Sequence, residues 1–258
     1  MPAANKLDLV FQSGKSKLLN IYCTAGFPAL ESLEEVIVAL QQSGVDMVEV
    51  GMPYSDPIAD GPVIQQSNMT ALQNGMTISL MFQQLEAMRD KIHIPVILMG
   101  YLNPVLQYGV ERFCSSARKA GVSGVIIPDL PAFEFEAHYK KSFDENELKF
   151  IFLVSPQTDN KRMHVADKLS SGFLYAVSSS TVTGQGSSSP NVAYFQQLRN
   201  SGLKNPVMIG FGIHDKDSFT TACDYARGAI IGSAYIKAIS STDNISNTTR
   251  NFVQAIIG

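Results

Sequence analysis

Two acidic side chains stand where a charge is costly. Glu49 interrupts the apolar run Val45–Val50, flanked by Val48 and Val50. Alternation along a strand puts Met47 and Glu49 on one face, and in a closed barrel one face of every strand is the interior. An ionised carboxylate held there costs on the order of several kcal/mol unless it is paired or faces a wet pocket. Eleven residues later comes Asp60, within Ile58-Ala59-Asp60-Gly61-Pro62. Two carboxyl groups at one mouth, in different surroundings, can divide proton-transfer roles between them. Plainer readings stand beside this one. Glu49 at a strand end can simply hydrogen-bond a neighbour, and Asp60, like Asp56 before Pro57, suits a turn.

A second chemistry is signalled by glycine-bearing turns late in the chain: Thr183-Gly184, Gly210-Phe211-Gly212 and Gly232-Ser233. Main-chain N–H groups at such turns, with a helix N-terminus near Ala234, can hold a phosphate without lysine or arginine. One such glycine is ordinarily no more than a tight turn, but three at successive strand ends point to a phosphorylated small molecule. Metal chemistry has no such support. His93, His138, His164 and His214 are scattered without ligand spacing. No Ser/His/Asp order is apparent, and no lysine stands at a strand end to form a Schiff base.

These residues need a frame. Apolar, β-branched runs recur at Leu18–Cys23, Val45–Val50, Pro95–Met99, Val122–Ile127, Lys149–Val154, Phe173–Val177, Pro206–Ile209 and Ala229–Ile231. Near-continuous apolarity is what a strand buried on both faces requires, hence a parallel sheet. Helical patterns lie between them, most clearly Ala29–Ser43, with Leu30, Leu33, Ile37 and Leu40 on one face and Glu31, Glu34 and Glu35 near its positive end. Gly44, Gly121, Gly172, Gly202 and Gly228 sit between helical pattern and strand, where a C-terminal cap is expected. Eight strands alternating with helices predict an α/β protein, a (β/α)8 TIM barrel forming a single domain over residues 1–258, with long active-site loops at about 51–62 and 178–190. The glycine turns then follow strands six, seven and eight, the last two of which carry the usual phosphate site of such barrels. The alternative is an open doubly wound sheet. It usually shows a GxGxxG turn after its first strand, where this chain has Cys23-Thr24-Ala25-Gly26-Phe27-Pro28. The tract Ser178–Pro190 (SSSTVTGQGSSSP) has strand-like runs in the same rhythm on both sides, which fits a lid over a site better than an interdomain linker.

Composition excludes other classes. The 258 residues are 45% hydrophobic and 17% charged, enough for one large core. A net charge of −3 without a basic cluster lacks the footprint of a nucleic-acid binder. Cys23, Cys114 and Cys223, far apart and odd in number, suggest buried thiols in a reducing compartment. No apolar run approaches the length of a spanning helix, and the polar start is not that of a signal peptide, so a cytoplasmic location and no membrane partner are expected.

The segment Val48-Glu49-Val50-Gly51-Met52-Pro53-Tyr54-Ser55-Asp56-Pro57-Ile58-Ala59-Asp60-Gly61-Pro62 closely resembles the signature of the tryptophan synthase alpha subunit family, commonly written LELGxPFSDPxADGP. Thr24-Ala25-Gly26-Phe27-Pro28, Met99-Gly100-Tyr101-Leu102-Asn103-Pro104, Pro128-Asp129-Leu130-Pro131, Val182-Thr183-Gly184 and Gly210-Phe211-Gly212-Ile213 match in family order, so the resemblance spans nearly the whole chain.

The resemblance implies a carbon–carbon lyase that cleaves indole-3-glycerol phosphate into indole and glyceraldehyde 3-phosphate in L-tryptophan biosynthesis. Glu49 matches the family's general acid/base and Asp60 the carboxylate that faces the ring nitrogen. Tyr175 and Thr183 match substrate-site positions, and Tyr22, Met99, Ile126, Leu153 and Phe211 are the implied walls of the indole pocket. Gly184, Gly212, Gly232 and Ser233 match the phosphate cradle. The implied partner is a beta subunit in an alpha-beta-beta-alpha tetramer, contacted through Asp56, Pro57, Asn103, Pro104 and Pro131. Pyridoxal phosphate would belong to that partner, and no cofactor to this chain. Three positions depart from the family pattern. Ser179 stands where an arginine is common and Thr181 where a glycine is, which removes a guanidinium latch from the lid, and Tyr22 carries a hydroxyl where phenylalanine is frequent. Two rival readings remain at this stage: another phosphosugar lyase or isomerase on the same barrel, and a barrel kept chiefly as activator of the beta subunit.

Overall fold

The computed structural model describes residues 4–177, 191–210 and 212–258. Its strands are β1 (Leu18–Thr24), β2 (Met47–Gly51), β3 (Val96–Met99), β4 (Gly124–Ile126), β5 (Lys149–Ile151), β6 (Leu153–Val154), β7 (Leu174–Val177), β8 (Val207–Gly210) and β9 (Gly228–Ile231). Every pairing is parallel, in the order β5-β4-β3-β2-β1-β9-β8-β7-β6. The eight expected strands are all present, but the fifth is divided. Phe152 separates β5 from β6 and turns its N–H to Ser170 Oγ (3.1 Å) instead of to the ladder. One continuous stretch thus pairs with β4 on one side and β7 on the other, so the row closes on itself. The (β/α)8 barrel holds, and the open doubly wound alternative is set aside.

The connections are helical: α1 (Lys6–Gln12), α2 (Leu33–Gln42), α3 (Pro62–Gln73), α4 (Ile78–Ala87), α5 (Leu102–Tyr108), α6 (Val110–Lys119), α7 (Ala132–Glu134), which runs through a π turn at Phe135–Tyr139 into α8 (Lys140–Glu145), then α9 (Asn160–Leu169), α10 (Val192–Asn200), α11 (Lys216–Cys223), α12 (Ser233–Ile239) and α13 (Ile245–Ile257). Among the described residues no helix is long and apolar enough to cross a membrane. The helix expected over Ala29–Ser43 begins four residues later. Ser32 folds Ala29–Ser32 into a turn, donating its N–H to Ala29 O (3.1 Å) and accepting the Ala29 N–H at Oγ (3.2 Å). Leu33, Ile37 and Leu40 are buried as the pattern requires, and Leu30 packs half-buried against them.

Helix α1 closes the N-terminal end of the barrel. Leu7 is fully buried, and Asn5 Nδ2 donates to the carbonyls of Ser123 (3.0 Å) and Glu147 (3.1 Å), just ahead of β4 and β5. Lys149 pairs with Asp8 (2.8 Å), and Arg227 reaches the Phe11 carbonyl (3.3 Å). The strands finish at the opposite end of the cylinder from this helix. Beside β5 and β6, Phe135 stacks on Phe150 with ring centres 4.0 Å apart, anchoring the π turn to the barrel wall.

The glycine reading is corrected at two of its five positions. Gly44, Gly121 and Gly202 have positive φ and terminate helices as expected. Gly172 and Gly228 do not, and at both of them the constraint is space. A Cβ on Gly172 would lie 2.7 Å from Leu7 Cδ2, and one on Gly228 would lie 2.0 Å from the Leu18 carbonyl oxygen, inside the β1–β9 pairing. The expectation of buried thiols holds for Cys23 and Cys114, whereas Cys223 is half-buried; all three are free.

This contrast gives a test by urea denaturation. Gly228→Ala forces two strand backbones apart and is expected to cost about 3 kcal/mol or more. Gly202→Ala meets no atom within 4 Å and carries only the backbone strain of its φ of +64°, about 1–2 kcal/mol.

Candidate active site

Strand register selects what faces the interior. Tyr22 lies opposite Glu49, Glu49 opposite Ile97, Met99 opposite both Gly51 and Ile126, Ile126 opposite Ile151, and Leu153 opposite Tyr175. Partners in a parallel pair share a face and successive residues alternate. Asn20, Tyr22, Glu49, Met99, Ile126, Leu153 and Tyr175 therefore line one surface, the inside of the barrel. The sequence-based indole-wall residues among them come together at its C-terminal end, Leu153 half-buried and the others buried.

Glu49 is 1% exposed. Asn20 Nδ2 donates to it, 3.2 Å from Oε2. Burial pushes its carboxyl up to about 8, with the Asp60 charge adding to the rise and the Asn20 hydrogen bond opposing it. Asp60 arrives from the loop after β2. Its N–H donates to Pro57 O (3.0 Å), and its carbonyl accepts from Gln65 Nε2 (2.8 Å), tying the loop to the first turn of α3. The carboxylate accepts from the Tyr101 hydroxyl (3.0 Å), which itself accepts the Ala59 N–H (3.0 Å). Burial raises Asp60 to about 6, and the Tyr101 hydrogen bond restrains it. At neutral pH the two carboxyls therefore differ: Glu49 mostly holds its proton and Asp60 is mostly ionised. That is the division of states a paired acid and anion need.

Two tyrosines frame this pair. Burial raises both phenols well above the ordinary tyrosine range; the Asp60 charge acts next on Tyr22, and those of Glu49 and Asp60 on Tyr175. Both rings lie across glycines. A Cβ on Gly51 would stand 2.0 Å from the Tyr22 hydroxyl, and one on Gly210 would stand 2.3 Å from that of Tyr175. Thr24 Oγ1 donates weakly to the Tyr22 oxygen (3.4 Å) and shares a 2.7 Å hydrogen bond with Ser67 of α3.

Around the same mouth, Gly232 follows β9 and is the N-cap of α12, where it has no side chain to occupy the first N–H groups; Ser233 follows, half-buried. A Cβ on Gly232 would be 3.5 Å from Tyr22 Cβ, so this turn adjoins the tyrosine. Gly212 follows β8, exposed and with a φ of +76°. Thr183, Gly184, Phe211 and the loop Ser178–Pro190, with Ser179 and Thr181, lie outside the described residues. Of the partner-facing candidates, Asp56, Asn103 and Pro131 are exposed, Pro104 is half-buried and Pro57 is buried. Ile58, next to Pro57, is 79% exposed, and Phe133 is 68% exposed.

Two residues that hold the carboxyls escaped the sequence reading. Tyr101 lay inside a quoted motif but was given no role, and its partner is 41 positions away. Asn20 was passed over inside an apolar run, where an amide among strand residues was the available signal.

The tryptophan synthase alpha chain family profile matches residues 10–256. The chain is 49% identical to the tryptophan synthase alpha chain of Christiangramia forsetii over 242 residues, covering 93% of this chain and 94% of that one. With the alpha chain of Flavobacterium psychrophilum the identity is 47%, covering 98% and 99%. Among solved structures, the tryptophan synthase alpha chain from Legionella pneumophila superposes with a TM-score of 0.87 at 31% identity, covering 98% of this chain and 96% of that one. The tryptophan synthase complex from Pyrococcus furiosus does so at 0.83 and 30%, covering 95% and 99%.

The raised carboxyls make stability depend on pH. A carboxyl whose folded-state value lies above its unfolded value favours folding when protonated, and that contribution is lost as pH rises from about 4.5 through about 8. Glu49→Gln removes the penalty. It is expected to stabilise the fold at pH 9 on the order of 2–4 kcal/mol relative to the parent, and little at pH 5. Urea midpoints at the two pH values measure this.

Proposed function

Because the chain belongs to the tryptophan synthase alpha chain family, we propose that Glu49 and Asp60 carry out the family's reaction, the retro-aldol cleavage of indole-3-glycerol phosphate to indole and glyceraldehyde 3-phosphate in tryptophan biosynthesis. The observation that carries this assignment is a pair of buried carboxyls raised to different extents, Glu49 on the interior face shared with Tyr22 and Tyr175 and Asp60 near enough for its charge to act on all three.

The protonated Glu49 gives its proton to the indole ring carbon that bears the side chain. Positive charge then develops on the ring and its nitrogen, and Asp60 accepts the N–H hydrogen bond as a fixed anion. The Glu49 carboxylate next takes the proton of the adjacent side-chain hydroxyl. The carbon–oxygen double bond forms, the carbon–carbon bond breaks, and its electron pair restores the aromatic ring. Glu49 ends with the proton it began with, and the atoms balance. Tyr22, Met99, Ile126, Leu153, Tyr175, Thr183 and Phe211 contact the substrate in this reading. Main-chain N–H groups at Gly184, Gly212, Gly232 and Ser233 hold the phosphate, in keeping with the uncapped first turn of α12.

The reading extends to a beta subunit in an alpha-beta-beta-alpha tetramer, met through the rim formed by Asp56, Pro57, Asn103, Pro104 and Pro131. Exposed Ile58 and Phe133 on that rim support it, since apolar side chains at an open edge favour a partner. Pyridoxal phosphate is assigned to that subunit. Cleavage itself asks only for the two proton transfers and the anion that Glu49 and Asp60 provide.

Indole release is the measurement. Glu49→Gln is expected to lower kcat at least ~100-fold with the fold intact, and near-normal release would reject the role. The pH profile of kcat/KM is expected to be bell-shaped, falling below about 6 as Asp60 takes up a proton and above about 8 as Glu49 loses one. Asp60→Asn is expected to abolish the acid limb.

A further inference from the structure

Glu49 has one neighbour that the proposed reaction does not use. Asn20 is fully buried on β1, on the same interior face and one rung below Glu49, with Met47 and Ile230 opposite it on the adjacent strands. An amide is a poor strand former, and its burial carries a cost that a leucine of the same size would avoid. Its Nδ2 reaches Glu49 Oε2 at 3.2 Å, while its Oδ1 is buried with no hydrogen-bond partner among the described residues. An orphaned buried acceptor calls for an explanation, and here it stands on the same carboxamide that already touches the carboxyl.

Resting on the assignment of Glu49 as acid and base, we propose that Asn20 is its positioning residue: the Asn20 carboxamide holds the Glu49 carboxyl in both protonation states, donating its N–H to the carboxylate and, after a half-turn, presenting Oδ1 to the carboxylic acid. A carboxylic acid needs an acceptor where a carboxylate needs a donor, and an amide supplies both from one site by rotating. The reacting carboxyl then stays aimed at the substrate while its proton leaves and returns. The hydrogen bond to the ionised form is the stronger of the two. Losing the amide therefore raises the proton affinity of Glu49.

The other groups whose charge states bear on Glu49 leave its titration readable. Tyr22 and Cys23 act from β1, Tyr175 from β7 and Asp60 from the loop after β2, while β3 presents apolar Ile97. Burial holds the Cys23 thiol at about 12 and both phenols well above their usual range, so these three stay neutral around pH 8. Asp60 titrates lower, at about 6.

The test replaces Asn20 with leucine, its apolar equivalent in size, and with valine as a second variant should leucine not pack. In the full-length protein, Asn20→Leu is expected to lower kcat for indole release about tenfold with KM within about twofold, and to move the alkaline limb upward by about one pH unit, the scale of one charge-assisted hydrogen bond. A direct titration of the Glu49 carboxyl by difference infrared, the band identified by its loss in Glu49→Gln, is expected to move by the same amount. If the band and the limb stay in place while the melting temperature falls, Asn20 is packing alone and the proposal is overturned. The infrared arm does not depend on turnover. Should Glu49→Gln release indole normally, the assignment of Glu49 fails, while the band position still decides whether Asn20 governs its protonation.

Discussion

A carboxyl group held inside a closed barrel is the constraint around which the rest of this molecule is arranged. Glu49 cannot shed its desolvation cost by reaching water, because β2 lies between β1 and β3 and its side chain points inward. The cost appears as proton affinity, and proton affinity near neutrality suits the role of acid and base proposed for Glu49. Asp60 escapes part of the same cost through its loop position and the Tyr101 hydroxyl. Two residues with nearly the same chemistry are thus separated in state by where the backbone puts them. The glycines at Gly51 and Gly210 serve the same end, because the phenols that wall the carboxyls would otherwise collide with the next strand.

Much of this was legible in the chain. Strands buried on both faces are read from apolar runs, and all eight expected strands are present. Glu49 was conspicuous because it breaks such a run. What escaped was non-local. The break at Phe152 depends on a hydroxyl from Ser170, and the turn ahead of α2 depends on Ser32 capturing the N–H of Ala29. Neither is visible in periodicity. Gly172 and Gly228 resemble helix caps by position, yet their reason is the closeness of Leu7 and Leu18, residues more than 150 positions away. The same holds at the site. The two carboxylates were found from sequence, and their partners Asn20 and Tyr101 were not, because a hydrogen bond between strand and strand, or loop and helix start, leaves no local spacing to read.

The two ends of the barrel show different physics. At the floor, charged groups pair with one another or with carbonyls, as Lys149 does with Asp8 and Arg227 with Phe11, and the result is closure. At the mouth, Asn20 holds Glu49 and Tyr101 holds Asp60, and no side chain caps the first turn of α12. Conserving shape at one end while leaving valences open at the other lets a single scaffold be both rigid and reactive.

The floor also bears on how the chain is made. Helix α1 is made before any of the strands, yet the carbonyl of Phe11 is met by Arg227, 216 positions later. Its earlier latches, at the Ser123 and Glu147 carbonyls and at Lys149, become available near mid-chain, and this last one only when almost all of the polypeptide has been synthesised. A nascent fragment that ends short of Gly172 lacks one of the contacts on Leu7, and protection of that face during translation falls to chaperones or to the half-built cylinder.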